Sequence, residues 1–309
     1  MLMRIVRWAC VFLLLAIAAL AIWLYAPDRS RAALEAAYPG EYRIVLGQRL
    51  RYRDTGPRAA PALILLHGFG SSLDTWEPWV KALSGEYRVI RLDLPGFGLT
   101  GPDPTGDYSD ERTLAILAGL MDQLHLQRAT FIGNSLGGRY AWEFAARYPQ
   151  RVDKLVLISP DGFASPGFEY GKAPEVPLVM NLMPWVGPRS LIRANLAPAW
   201  AHPEALPDAV LERYRDMLLA PGVRQAILDR TRQTVLTDPS VRLRSIAAPT
   251  LLLWGEQDQM IPVRNSQDYL RLMPRATLVR LPGMGHVPFE ESPAAALPPL
   301  QRFLAGARP

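Results

Sequence analysis

The segment Gly133-Asn134-Ser135-Leu136-Gly137 sets a serine between two glycines where two kinds of local pattern meet. The apolar run Ala129 to Ile132 reads as a strand, and Leu136 to Tyr148 reads as a helix. A serine on so sharp a strand-to-helix turn takes strained backbone angles and lifts its hydroxyl clear of the sheet. Glycines on either side lack a Cβ, which lets strand and helix approach closely. The chemistry open to such a hydroxyl is attack on a carbonyl carbon once a neighbouring base removes its proton. The motif is weak alone, because chance places it in roughly one chain in ten of this size. Its weight comes from the residues that accompany it in order.

The base for a serine should be a histidine oriented by a third group. Four are present: His67, His125, His202 and His286. His286 lies in Leu281-Pro282-Gly283-Met284-Gly285-His286, a Gly/Pro-rich loop after the apolar run Ala276 to Leu281, and is the candidate base. His125 closes an amphipathic helix and reads as a surface residue; His202, in a Pro-rich stretch, reads as surface or as part of a cover over the site. The acid should follow another strand. Pro249 to Gly255 is a short apolar run opened by Pro and closed by Gly, as a buried strand is, and Glu256-Gln257-Asp258 follows it. Asp258 is preferred because the loop has left the strand there. Glu256 is expected to face solvent or cap the loop, and Asp161, after the run Leu155 to Ser159, is a second rival. The resulting chain order is Ser135, Asp258, His286, the order of α/β-hydrolases rather than of the two large serine protease classes.

Acyl transfer also needs donors for the oxyanion of the tetrahedral intermediate. The Leu136 N–H at a helix start is one candidate. The Phe69 N–H, in the loop His67-Gly68-Phe69-Gly70 after the strand-like run Ala62 to Leu66, is the other. His67 itself reads as a brace of that loop.

With these residues in place, the chain resembles the α/β-hydrolase superfamily, and within it the lipase- and esterase-like members with a helical cap. The resemblance rests on His67 to Gly70, Asp93-Leu94-Pro95-Gly96-Phe97-Gly98, Gly133 to Gly138, Trp254 to Asp258 and Gly285-His286, and it runs from about residue 41 to the C-terminus. It implies a serine hydrolase of carboxylic esters with hydrophobic acyl groups, working through an acyl-enzyme with Ser135, His286 and Asp258 and without metal or organic cofactor. Asp93 reads as structural. The fold hosts many reactions, so two rivals stand beside this reading. One is a carbon–carbon bond hydrolase of aromatic meta-cleavage products. Such enzymes often carry Gly-Asn-Ser at the elbow, as here, but many follow the catalytic histidine with tryptophan, where this chain has Val287. The other is a non-catalytic binding protein on the same fold. Epoxide hydrolases and dehalogenases of the fold use an aspartate nucleophile, which Ser135 replaces, and perhydrolysis is conceivable as a side activity.

The elements that must position these residues follow from the hydropathy pattern. Tyr42 to Leu46 and Gln48 to Arg53 read as a strand pair turning at Gly47. Strands at 62–66, 89–92, 129–132, 155–158, 251–254 and 276–281 then alternate with helices. This predicts an α/β fold: a mostly parallel central sheet with helices on both faces and an inserted helical cap. Ligands of such sheets bind beyond the carboxyl ends of the strands, where Phe69, Ser135, Asp258 and His286 all fall. Residues 28–160 and 241–309 form the core in this reading. Residues 161–240, rich in Pro and in short helical patterns such as Ala209 to Leu219 and Val223 to Thr234, form the cap. Most of its apolar residues, among them Leu178, Val179, Met180, Leu182, Met183, Trp185, Leu191, Ile192 and Leu196, are expected to pack onto the core, and some to line an apolar pocket. Arg189 and Arg193 are expected at the surface. Asp28 to Gly40 reads as a connector.

Residues 1–27 stand apart. Trp8 to Ala26 carries no charge and as a helix spans roughly 28 Å, near the thickness of a bilayer core. Arg4 and Arg7 precede it, and Trp8, Trp23 and Tyr25 suit its interfaces. An uncleaved anchor is favoured over a signal peptide cut after Ala19-Leu20-Ala21, because apolar residues continue past that site. The flanking arginines nearly balance; the N-terminus is placed in the cytoplasm and the catalytic domain outside. The net charge of +5 is mild, with no basic stripe interleaved with aromatics, so nucleic acid is not an expected partner. No protein partner is evident, and a small-molecule ester is the expected substrate. The single cysteine, Cys10, sits in the apolar segment and can form no intrachain disulfide.

Overall fold

In the computed structural model, which describes residues 1–164 and 169–307, the alternating pattern becomes one eight-stranded sheet. Its strands are β1 (Glu41–Val45), β2 (Gln48–Thr55), β3 (Ala62–Leu66), β4 (Arg88–Leu92), β5 (Ala129–Asn134), β6 (Val152–Ile158), β7 (Thr250–Gly255) and β8 (Ala276–Leu281). They lie in the order β1-β2-β4-β3-β5-β6-β7-β8. β1 pairs antiparallel with β2, β2 antiparallel with β4, and every later pair is parallel. Parallel strands joined by crossover helices have both faces covered, which is why the central runs Leu63 to Leu66, Leu155 to Ile158 and Leu251 to Trp254 are apolar rather than alternating.

The two faces are read most simply from β3. Leu63 and Leu65 join a buried cluster with Trp76, Trp79, Leu300 and Phe303, while Ile64 and Leu66 join another with Leu117, Leu120, Tyr140 and Phe144. The helices that supply these clusters follow α1 (Leu2–Leu24) and α2 (Arg31–Ala37): they are α3 (Glu77–Leu83), α4 (Asp110–Gln123) and α5 (Leu136–Arg147), with a further set near the C-terminus. Between β6 and β7 the described chain contains no strand. It holds a 3-10 run, Leu178–Trp185, then α6 (Arg189–Leu196), α7 (Asp208–Leu218), α8 (Val223–Gln233) and α9 (Ser240–Ser245). After β7 come α10 (Ser266–Leu272), then α11 (Pro288–Glu291) and α12 (Pro293–Leu304) behind β8. Residues 165–168, within the stretch read as a cap, and 308–309 lie outside the described residues.

Three expectations need correction. The first apolar helix runs Leu2–Leu24, so Arg4 and Arg7 lie inside it, and it stops short of Ala26. Ala26 precedes Pro27, and a residue before proline is pushed out of the helical region; Tyr25 is already extended, with ψ of 125°. The stretch read as a connector contains α2. Ser30 caps it by accepting a hydrogen bond from the Ala33 N–H, and Leu34 is its buried contact. Finally, several apolar residues expected to pack onto the core do not: Leu178, Val179, Leu182, Trp185 and Leu191 are exposed.

Candidate active site

The turn between β5 and α5 has the geometry that its sequence implies. Ser135 sits at φ 52°, ψ −119°, a region that costs a non-glycine residue of order 1–3 kcal/mol unless its surroundings hold it. The surroundings do hold it. The Ser135 N–H donates to Ile158 O at 3.0 Å, and its carbonyl accepts from the N–H groups of Arg139 and Asp161, each at 3.0 Å. The close approach needs its glycines: a Cβ on Gly133 would overlap the Gly137 carbonyl, and one on Gly137 would overlap the Leu66 carbonyl.

His286 and Asp258 arrive from the loops after β8 and β7. His286 Nδ1 lies 2.8 Å from Asp258 Oδ2, with both residues buried. A carboxylate can only accept, so Nδ1 carries the proton and Nε2 is the nitrogen left for a serine hydroxyl. Asp258 is itself fixed, because its Oδ1 accepts the N–H groups of Met260 and Ile261, each at 2.9 Å. Ser135 and His286 line the same cavity. Of the two rival acids, Glu256 is exposed and pairs with Arg280 at 3.0 Å. Asp161 lies on the other side of the serine, 3.6 Å from Arg139; burial pushes its carboxyl up, against the pull of that arginine. His125 and His202 are exposed and line neither cavity at Ser135.

The two candidate oxyanion donors both border Ser135. Leu136 is the first residue of α5, where a backbone N–H has no acceptor within the helix. Phe69 lines both cavities that meet at Ser135. Its loop is braced by His67, whose Nδ1 donates to Gly68 O (2.7 Å) while Nε2 accepts the Leu94 N–H (3.0 Å). Burial pushes the imidazole pKa down, which keeps His67 in this neutral, two-bond role. Asp93 is structural: it accepts the N–H groups of Leu73 and Leu99 at 2.7 Å each and pairs with the buried Arg51 at 3.1 Å.

Two cavities open from Ser135. One, of about 400 Å³, is walled by Met180, Met183, Ile192, Leu196, Leu218 and Ile227 beside the loop of His286. Tyr214 lies in the same wall; burial drives its phenol up to about 12, so it stays neutral, bonded to Ser71 at 3.2 Å. The other, of about 510 Å³, is walled by Arg139, Arg230, Arg242, Asp110 and Asp161 with several threonines. Its charges are cross-linked. Arg139 pairs with Asp110, Arg242 pairs with Glu143 at 3.0 Å, and Arg230 bonds Tyr140 and the Pro95 carbonyl under the rings of Phe97 and Tyr108. Arg189 and Arg193 take no part in either cavity; both pair with Asp208 at the surface.

Two supporting residues escaped the sequence reading. Asn134 Nδ2 donates to the His286 carbonyl (3.0 Å) and the Ile158 carbonyl (3.1 Å), tying the histidine loop to the end of β6. Glu291 accepts the N–H groups of Gly285 (2.7 Å) and Ala201 (2.9 Å), holding the same loop from behind. Asn134 at least had a signal, its place beside the serine; Glu291 had none.

Comparison with known proteins finds the same fold in characterised hydrolases. The family model described as "alpha/beta hydrolase fold" matches residues 61–293, most of the chain. A 2-hydroxy-6-oxo-2,4-heptadienoate hydrolase of Pseudomonas putida is 33% identical over 235 residues, covering 72% of this chain and 82% of that protein. The meta-cleavage product hydrolase of Pseudomonas fluorescens IP01 superposes with a TM-score of 0.74 at 25% identity, over 86% of this chain and 98% of its own. A bacterial membrane phospholipase A superposes with the same TM-score, 0.74, at 28% identity, over 97% of this chain and 98% of its own.

Proposed function

This chain belongs to the α/β-hydrolase fold family, and on that premise we propose that it is a serine hydrolase of carboxylic esters with hydrophobic acyl groups. The observation that carries the reading is the strained Ser135 opening onto an apolar cavity that also contains His286, whose other nitrogen is bonded to Asp258. In this reading Ser135 Oγ attacks the ester carbonyl, and His286 takes the proton through Nε2 and returns it to the departing alkoxide. Asp258 holds the tautomer and stabilises the imidazolium. The N–H groups of Leu136 and Phe69 receive the oxyanion, each supplying about 3 kcal/mol in the transition state. Water then resolves the acyl-enzyme.

Residues 1–27 are proposed as a retained membrane anchor, with the N-terminus cytoplasmic and the catalytic domain outside. Residues 28–160 and 241–309 are proposed as the core, with 161–240 as its cap. The likeness to a membrane phospholipase A over 97% of this chain supports both the anchor and the acyl-ester reading. A second reading, hydrolysis of a carbon–carbon bond in meta-cleavage products, draws support from the Pseudomonas relatives.

The test is turnover of p-nitrophenyl esters of graded acyl length by the full chain and its Ser135→Ala variant. Serine-dependent turnover is expected, with a loss of at least roughly 10³-fold in the variant. An equal rate in both would overturn the mechanism. Inactivity on every ester, with consumption of a 2-hydroxy-6-oxo-dienoate, would establish the second reading instead.

A further inference from the structure

The 3-10 run Leu178–Trp185 has two faces. Met180 and Met183 line the apolar cavity at Ser135. Leu178, Val179, Leu182 and Trp185 are exposed by 86%, 68%, 53% and 57%. A contiguous apolar set on a surface marks a contact site, and the fold says with what. The chain leaving α1 is joined directly to the end of this run. The Ala26 N–H donates to Trp185 O at 2.8 Å, the Gly187 N–H donates to Leu24 O at 3.2 Å, and Tyr25 pairs with Val186 as an antiparallel bridge. Arg224, from α8, closes the joint on the Ala26 carbonyl and the Asp28 carboxylate, both at 2.6 Å. α1 itself is long and apolar enough to cross a membrane and buries none of its residues against the protein. The helix that needs a lipid cover and the exposed apolar face are therefore adjacent and held together.

We propose that Leu178, Val179, Leu182 and Trp185 insert into the membrane that receives α1, so that acyl chains pass from the bilayer into the cavity beside Met180 and Met183 without crossing water. The nature of the cargo rests on the ester-hydrolase reading, and the geometry rests on retention of α1. The cations near the joint are already paired: Arg29 with Asp216, Arg189 and Arg193 with Asp208, and Arg224 with Asp28. Insertion is therefore driven by apolar contact, and a zwitterionic surface suffices.

The experiment uses the full chain in phosphatidylcholine nanodiscs. In a Cys10→Ser background, Leu178→Cys carries an environment-sensitive fluorophore, and the lipids carry a quencher on their acyl chains. Quenching that persists at high salt is expected; a fluorophore that lipid does not quench overturns the proposal, whether water or a second copy of the chain covers the face. Independently, Leu178→Ser with Val179→Ser should slow hydrolysis of a long-chain ester dissolved in the bilayer by at least about fivefold. The rate on a short, water-soluble ester should not change. Equal rates on both substrates in variant and parent overturn lateral entry. Should the parent hydrolyse neither ester, the ester reading fails, and the quenching result still decides where the run sits.

Discussion

On one side of Ser135 the walls are methionine, leucine and isoleucine from the segment between β6 and β7; on the other, arginines and carboxylates from α4, α5, α8 and α9 stand among threonines and the rings of Tyr108 and Tyr140. The side chains that face the apolar cavity are mostly methionine and aliphatic, and methionine adapts to what it touches. The charged wall is cross-linked, with Arg139, Arg230 and Arg242 each committed to named partners. An ester has two halves that also differ, one apolar and one carrying the leaving oxygen. Under the ester-hydrolase reading proposed above, the contrast teaches that such a site should tolerate many acyl lengths on its soft side and discriminate alcohols on its rigid side.

The largest effect should ignore the contrast. Asp258→Asn leaves both walls intact but withdraws the acceptor that fixes the His286 tautomer, so kcat should fall roughly 10³–10⁴-fold on every ester alike. A loss that depends on acyl length would mean that Asp258 acts through the apolar wall instead. Met183→Trp should sharpen the contrast. It fills the soft side, so kcat/KM for long-chain esters should drop on the order of tenfold while the acetate ester is spared. A uniform loss across the series would remove the apolar cavity as the acyl side.

The smallest effect reads the charged wall through stability. Burial, with Asp110 adding to it, pushes Glu143 up to about 7, against the pull of Arg242 and Arg139. Its folded-state pKa is above its unfolded one, so between pH 4.5 and about 7 the folded state holds the proton more tightly. Stability from this group is present at the acid end and lost as pH rises through that window. Glu143→Gln should flatten the slope, raising Tm at pH 8 relative to pH 5 by about 2 °C more than in the parent. Identical slopes would show that Arg242 keeps Glu143 ionised throughout.

Much of this was legible in the residues. Most of the parallel strands are short apolar runs bounded by Gly or Pro, and the candidate site residues fall just beyond strand ends, where such sheets gather ligands. Asp258 could be preferred over Glu256 by counting residues out of β7. What stayed hidden depends on partners distant in sequence. Asn134 and Glu291 act on backbone groups of loops whose approach no local pattern encodes. The sequence shows no sign of α2 because a short Ala-rich helix has little periodicity, Leu34 being its only buried residue. The outward face of Leu178–Trp185 was misread because apolar composition says that a surface is to be covered, not by what.

The joint at Ala26 also has a mechanical meaning. The uncharged part of α1, from Trp8 to Leu24, is about 26 Å long and falls short of a hydrocarbon core of about 30 Å, a mismatch that bilayers relieve by local thinning. With Ala26 bonded to Trp185 and clamped by Arg224, no swivel separates α1 from the wall of the apolar cavity. If α1 is retained in a bilayer, as proposed, any change in its depth would be passed on to the whole chain behind it. The thickness of that bilayer would then become a lever on the height of the cavity mouth, and lipid composition would set the reach of the site without touching its chemistry.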